Sequence, residues 1–228
     1  MKAETLEAVL AEIEAKRPVV LATNLETGEQ RLLHRSDGGT ESERADVARA
    51  LRVDICITTD AVGGTQVFYQ PFNPPLRLIL IGAVHIAQPL SAMATLAGYE
   101  VTLVDPRASF AAADRFPGVM LSLEWPDAAL KALSLEQRCA VVTLTHDPKL
   151  DDPALEVALR SDAFFIGCLG SKKTHASRLR RLGEAGFTEA ELARVKGPVG
   201  LPIGSRSPAE IAVSVLAQVT ETLRKPAP

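Results

Sequence analysis

Chemistry in this chain would have to come from a few short polar segments that follow apolar runs. The first is Gly82-Ala83-Val84-His85-Ile86-Ala87, directly after Leu78-Ile79-Leu80-Ile81. It approximates the G-x-G-x-x-G/A turn that sets a pyrophosphate on a helix N-terminus, with Gly82 making the tight turn and Ala87 allowing close helix–strand packing. Val84 stands in the middle glycine's place, where its branched side chain opposes close backbone approach. Ordinary NAD binding is therefore disfavoured, and the turn could equally serve folding alone. Asp105 comes 23 residues after Gly82, near the spacing at which an acid meets a ribose hydroxyl, although Asp105-Pro106 also suits a plain turn.

A second segment, Thr143-Leu144-Thr145-His146-Asp147-Pro148-Lys149, gathers a hydroxyl, an imidazole, a carboxylate and an amine. His146 is the candidate to orient a ligand, against the plainer reading of a structural histidine beside an ordinary turn. The third, Gly167-Cys168-Leu169-Gly170-Ser171-Lys172-Lys173-Thr174, places glycine, serine and two lysines at a helix start, where exposed backbone N–H groups and cations form an anion site. Lys172, Lys173, Arg178, Arg180 and Arg181 supply five positive charges before the first acid, Glu184; the alternative is a solvated basic helix face. The glycine spacing is not that of a P-loop. Cys168 could present a thiol here or fill space as a small buried residue. The fourth, Gly200 to Pro208, carries Arg206, whose fork suits a phosphate or carboxylate, or simply a neighbouring acid.

These segments need a scaffold, and the apolar runs provide one. Strand-like runs recur at Leu78–Ile81, Glu100–Val104, Val119–Leu121, Ala140–Leu144 and Ala163–Ile166, separated by helix-length segments, the signature of βαβ units and a parallel sheet. Ligands of such sheets bind beyond the carboxyl ends of the strands, where strand order reverses. Ser207-Pro208-Ala209-Glu210 and Thr188-Glu189-Ala190-Glu191 read as capping boxes, and the last helix is expected to bury Ile211, Val215, Leu216, Val219 and Leu223. Before this region, a helix is expected over Lys2–Lys16 with Leu6, Val9, Leu10 and Ile13 on its buried face. Strands should follow at Val19–Thr23, Gln30–His34, Asp54–Thr59 and Thr65–Tyr69, with a helix near Glu43–Leu51. Gln70-Pro71-Phe72-Asn73-Pro74-Pro75 is read as unable to sustain ladder hydrogen bonding and marks a domain boundary. The expected organisation is a small α+β domain over 1–75 and a Rossmann-like α/β domain, a parallel sheet flanked by helices, over 76–228.

Composition narrows the function class. The chain has 228 residues, 46% hydrophobic, 23% charged and 4% aromatic, as suits a globular protein packed on aliphatic side chains. A formal charge of −3 argues against nucleic-acid binding by counterion release. Cys56, Cys139 and Cys168 are far apart, with no zinc-ligand spacing, so no metal site is assigned and a reducing cytoplasm is expected. The charged N-terminus lacks a secretory pattern. Leu78–Tyr99 lacks any charged residue, yet Gly82, His85, Gln88, Pro89 and Gly98 interrupt it; a buried strand feeding a buried helix is expected rather than a membrane span.

Together these motifs closely resemble the XdhC/CoxI family of accessory proteins in xanthine dehydrogenase and carbon monoxide dehydrogenase maturation. The resemblance covers about Phe68 to Val219. It is carried by Phe68-Tyr69-Gln70-Pro71-Phe72, the Gly82–Gln88 turn, Val104-Asp105-Pro106-Arg107 with Phe110 and Arg115-Phe116-Pro117, Thr145–Asp152, Gly167–His175 and Pro198–Glu210. Two departures are visible: Val84 replaces the glycine of the family's Gly-Ala-Gly-His turn, and the Gly-Gly-Cys-Val-Glu segment of its N-terminal part is missing.

The resemblance implies a cofactor-binding chaperone more than a catalyst. Its role would be to bind molybdenum cofactor (molybdopterin) and assist its sulfuration and insertion into a molybdenum hydroxylase client of the xanthine or carbon monoxide dehydrogenase type. A cysteine desulfurase is a possible further partner, and no residue is assigned a catalytic role. The expected binding residues are Gly82, Ala83, Val84, His85, Asp105, Arg107, His146, Gly170, Ser171, Lys172, Lys173 and Arg206. The cofactor's phosphate would lie on the Gly170–Lys173 helix start near Arg206, with Asp105 and His146 orienting its polar groups. The rivals are an NAD(P)-dependent oxidoreductase, with His146 or Lys149 as acid/base, and a non-catalytic nucleotide-binding module. A homodimer through the N-terminal domain's strand edges is also expected.

Overall fold

The computed structural model describes residues 2–37, 39–60 and 64–225. The chain divides into two compact units, Met1–Pro74 and Pro75–Pro228.

The first unit is an antiparallel sheet with two helices. Strands β1 (Val19–Asn24), β2 (Gln30–Leu33), β3 (Ile57–Asp60) and β4 (Gln66–Phe72) lie in the order β2-β1-β4-β3. Helix α2 (Glu41–Val53) covers the face carrying Val20, Ala22, Val67 and Tyr69, against which it buries Val47, Ala50 and Leu51. Helix α1 (Ala3–Glu14) packs on β1 and β2 but buries only Val9. Leu6, Leu10 and Ile13, expected on its buried face, are about half exposed. Two further expectations change. Asp54 adopts the left-handed conformation that ends α2, so residues 54–56 form the helix exit and β3 starts at Ile57. Strand β4 continues through Pro71 to Phe72, paired with β1. β3 stops opposite Tyr69, so this stretch has a single neighbouring strand, where a missing N–H is tolerated.

The second unit is a doubly wound α/β fold. Its strands are β5 (Leu76–Ile81), β6 (Tyr99–Val104), β7 (Met120–Ser122), β8 (Cys139–Thr143), β9 (Phe165–Cys168) and β10 (Val195–Lys196). All pair in parallel, in the order β10-β9-β8-β5-β6-β7, so the order reverses between β5 and β8. The Leu78-Ile79-Leu80-Ile81 run is buried on both faces, each side chain at most 1% exposed and worth about 2 kcal/mol relative to exposure. Alternation sends Leu78 and Leu80 toward α3 (Ala87–Leu96) and α8 (Pro208–Arg224). Ile79 and Ile81 face α4 (Pro126–Ala132), α5 (Pro148–Leu159) and α6 (Lys172–Glu184). The charge-free stretch is thus strand, turn and short helix, and no helix of the described residues is long and apolar enough to cross a membrane. Both capping boxes form, at α8 and at α7 (Glu189–Leu192).

Candidate cofactor-binding site

Parallel pairing puts the residues after β5, β6, β8 and β9 on one edge of the sheet, so Gly82, Asp105, His146 and Ser171 share that edge. At the reversal point the packing leaves room only for glycine: Gly82 has φ +104°, and a Cβ there would lie 2.3 Å from Thr145 Cγ2. Across that contact Leu144 N–H donates to Ile81 C=O, and Leu169 N–H donates to Thr143 C=O, joining the tips of β5, β8 and β9.

Asp105 fastens the first turn. It is fully buried, and its two oxygens accept from Ala83 N–H (2.8 Å), Arg107 N–H (3.0 Å), Arg107 Nε (2.8 Å) and Arg107 Nη2 (2.7 Å). Burial alone would raise this carboxyl; the Arg107 guanidinium and the two backbone donors outweigh it and hold it below the usual carboxylate range. The expected ribose acceptor therefore turns inward. Arg107, held by Asp105, lies over the Phe110 ring, 4.3 Å from its centroid.

A cavity of about 290 Å³ opens beside this turn, lined by Ala83, Val84, His85, Gln88, Ser109, Phe110 and Arg115. The far wall is tied to the helix side: Gln88 Nε2 donates to Arg115 C=O (3.3 Å), Arg115 Nη2 to Gln88 Oε1 (3.5 Å), and Arg115 Nη1 to Phe110 C=O. Ala83, Val84 and His85 belong to the expected site; Gln88, Phe110 and Arg115 belong to the motifs that carry the resemblance, and Ser109 to neither.

At the β8 tip the four polar groups separate. Asp147 caps α5, accepting from Lys149 N–H (2.9 Å), while His146 and Lys149 are exposed. Thr145 is buried; its hydroxyl bonds Asp151 Oδ1 (2.5 Å). Asp151 in turn accepts from Arg178 Nη2 (3.1 Å), which also donates to Leu169 C=O (3.2 Å). Arg178 and Asp151 are 2% and 1% exposed. The basic helix face accordingly shrinks. Arg178 is interior, Arg181 pairs with Asp152 at 2.5 Å, and Arg180 is 3.9 Å from Glu184. Lys172 and Lys173 remain exposed at the start of α6, behind the Ser171 cap that accepts from Thr174 N–H (3.1 Å). Sequence reasoning missed the buried pair, whose signal was the adjacent Asp151-Asp152 on α5 facing Arg178 and Arg181 one helical turn apart on α6.

Cys168 is fully buried, and burial pushes its thiol up to about 11, so it is a core residue. Arg206 stands before α8 with its backbone N–H on Glu210 and its guanidinium exposed and in no ion pair among the described residues. Its loop meets β9 where Val199 N–H donates to Cys168 C=O (2.9 Å). No cluster of three or more potential metal ligands occurs among the described residues. The edge thus offers a cavity beside the β5 turn with apolar and polar lining and, at the start of α6, exposed Lys172 and Lys173, which suits recognition of an anionic guest.

Residues 78–219 match the model of the XdhC Rossmann domain. The chain is 29% identical over 167 residues to the molybdenum cofactor insertion chaperone PaoD of Escherichia coli (strain K12), covering 72% of this chain and 46% of that protein. It is 32% identical over 162 residues to a probable xanthine dehydrogenase subunit of Bacillus subtilis (strain 168), covering 71% of this chain and 47% of that protein. The chain therefore spans less than half the length of each. In fold it is similar to a crystal structure of a xanthine dehydrogenase from Bacillus halodurans, with a TM-score of 0.70 and 24% identity over 97% of this chain and 64% of that one. With a family model matched over more than half its length, on the doubly wound domain that holds the candidate site, the chain belongs to the XdhC Rossmann domain family.

Proposed function

We propose that this chain is a maturation factor that holds molybdenum cofactor at the carboxyl edge of its parallel sheet and assists its sulfuration and insertion into a molybdenum hydroxylase. The observation that carries the reading is that the tips of β5, β6, β8 and β9 share one sheet edge, with a cavity beside the β5 turn and exposed Lys172 and Lys173 after β9. The relative named a molybdenum cofactor insertion chaperone supports it. In this reading Lys172, Lys173 and Arg206 attract the cofactor's phosphate, and His146 offers a hydrogen bond at the same edge. The inward-turned Asp105 and the side chain of Val84 argue against a dinucleotide. The chain would work in the cytoplasm, with a cysteine desulfurase as sulfur donor, and as a homodimer through β2 or β3, the edge strands of the first unit's sheet.

The test is retention of molybdenum cofactor by the purified chain after gel filtration, read as bound pterin fluorescence after oxidation. Wild type should retain it, and a Lys172→Ala/Lys173→Ala variant should lose at least tenfold in affinity, about 1.4 kcal/mol. No retention by wild type, or identical retention by the variant, would refute the placement. A parallel NADH titration showing tight binding would favour the oxidoreductase reading, and light scattering showing only monomer would remove the dimer.

A further inference from the structure

We propose that the cavity between the first turn and the Phe110 loop is a slot for a planar nitrogen heterocycle, and that it takes the pterin end of the guest; this rests on the cofactor-holding role proposed above. Its size sets the scale. At about 290 Å³ it lies at the lower bound of small-molecule sites, about 300 Å³, so it admits one end of an extended ligand and leaves the remainder outside.

The lining selects the chemistry. Phe110 is 42% exposed and lines the cavity, so part of its aromatic surface is open to a guest. Arg107 lies over the ring, 4.3 Å from its centroid, and is not among the residues that line the cavity. The ring is held by that contact, because Arg107 is fixed by Asp105 and Asp105 by the Ala83 N–H. Val84 forms an apolar wall, so its branched side chain, adverse to a pyrophosphate, becomes a packing surface for a flat ring. The rim carries the Ser109 hydroxyl and the His85 imidazole, together able to donate and accept. Among the described residues no carboxylate and no lysine lines the cavity, and the one cation that does, Arg115, is engaged with the Phe110 carbonyl and Gln88 Oε1, so a neutral ring with donors and acceptors on its edge is favoured over an amine. The walls are already bonded to one another through Gln88, Arg115 and the Phe110 carbonyl, so little conformational ordering is needed when the guest enters.

Pterins and purines share this chemistry, and three titrations of the full chain separate them: pterin-6-carboxylate followed by its fluorescence, adenosine monophosphate by calorimetry, and intact molybdenum cofactor by retention. The expected result is pterin binding at least tenfold tighter than adenosine monophosphate, a rise of tenfold or more in the pterin Kd for Phe110→Ala, and near wild-type binding for Phe110→Tyr, which keeps the ring. Because Phe110 is 42% exposed and belongs to no buried core cluster, circular dichroism of Phe110→Ala should match wild type. Tighter binding of adenosine monophosphate than of pterin, or a Phe110→Ala variant that binds pterin as wild type does, overturns the slot assignment. Retention of the intact cofactor without pterin binding overturns the slot and leaves the proposed function standing. Pterin binding without retention of the intact cofactor overturns the proposed function and leaves the slot.

Discussion

Replacing Asp151 with leucine removes the only carboxylate among the described residues that hydrogen-bonds Arg178, a side chain 2% exposed whose Nε and Nη1 lack hydrogen-bond partners among those residues. The guanidinium cannot reach water without unpacking α6 from α5, so the variant must hold an uncompensated charge in the interior. Breaking such a pair costs about 3–5 kcal/mol. In a domain of this size that corresponds to a fall in Tm of about 6–20 °C. The Thr145 hydroxyl loses its partner as well. A second variant, Asp151→Leu/Arg178→Met, removes both charges and should lose less than Asp151→Leu alone, since apolar replacement of a whole buried pair is often close to neutral. Urea unfolding of the full chain, followed by far-ultraviolet circular dichroism, measures both changes; the two units can unfold in separate transitions, so the fit must allow for two. An Asp151→Leu midpoint within experimental error of wild type, or a double variant that costs the sum of the two single changes, would refute the reasoning.

Two other outcomes follow from the same structure. The Asp105 carboxyl is held below its ordinary value in the folded chain, so its contribution is complete above the unfolded value of about 3.9 and is lost as pH falls through the lower folded one. The stability gap between wild type and Asp105→Asn should therefore be constant from pH 7 to 5 and narrow below pH 4, and a gap that widens on acidification would contradict the assignment. Among the cysteines, Cys56 is exposed while Cys139 and Cys168 are buried, with the Cys168 thiol pushed up to about 11. An aromatic disulfide reagent at pH 8 should titrate one thiol rapidly in the native chain and three after denaturation; rapid reaction of two or more native thiols would show that the interior is open.

The parts of the fold legible in the sequence are those fixed by local rules. Leu78–Ile81 had to be a strand buried on both faces because four aliphatic residues in a row leave no polar side, and Ser207-Pro208-Ala209-Glu210 had to start a helix because its side chains satisfy that helix's own free N–H groups. What escaped depends on partners distant in the chain. Arg178 reads as one cation among five until Asp151, 27 positions earlier, is brought beside it by packing of α5 on α6. Asp105 has the spacing of a ribose ligand, yet the arginine two residues later claims its oxygens. Pro71 reads as a breaker because the sequence does not reveal that β3 ends before it. The stripe on α1 has helical period, but period does not decide how much of a stripe its sheet will cover. For the site, the edge and its glycine turn were readable, whereas the cavity joins that turn and Gln88 to Ser109, Phe110 and Arg115 further along the chain, which only packing brings together.

The double tie between α5 and α6 makes the two walls of the edge mechanically unequal. On the β9 side, interior Arg178–Asp151 and half-sheltered Arg181–Asp152 bind one helix to the next, so moving that wall drags two helices and strands charge in a dry interior. On the β6 side, the segment from Phe110 to Arg115 is held by hydrogen bonds to uncharged acceptors, Gln88 Nε2 to the Arg115 carbonyl and Arg115 Nη1 to the Phe110 carbonyl. Opening that segment of the β6 flank therefore strands no buried ion pair, and a guest held at this edge as proposed would leave by that flank, past Phe110.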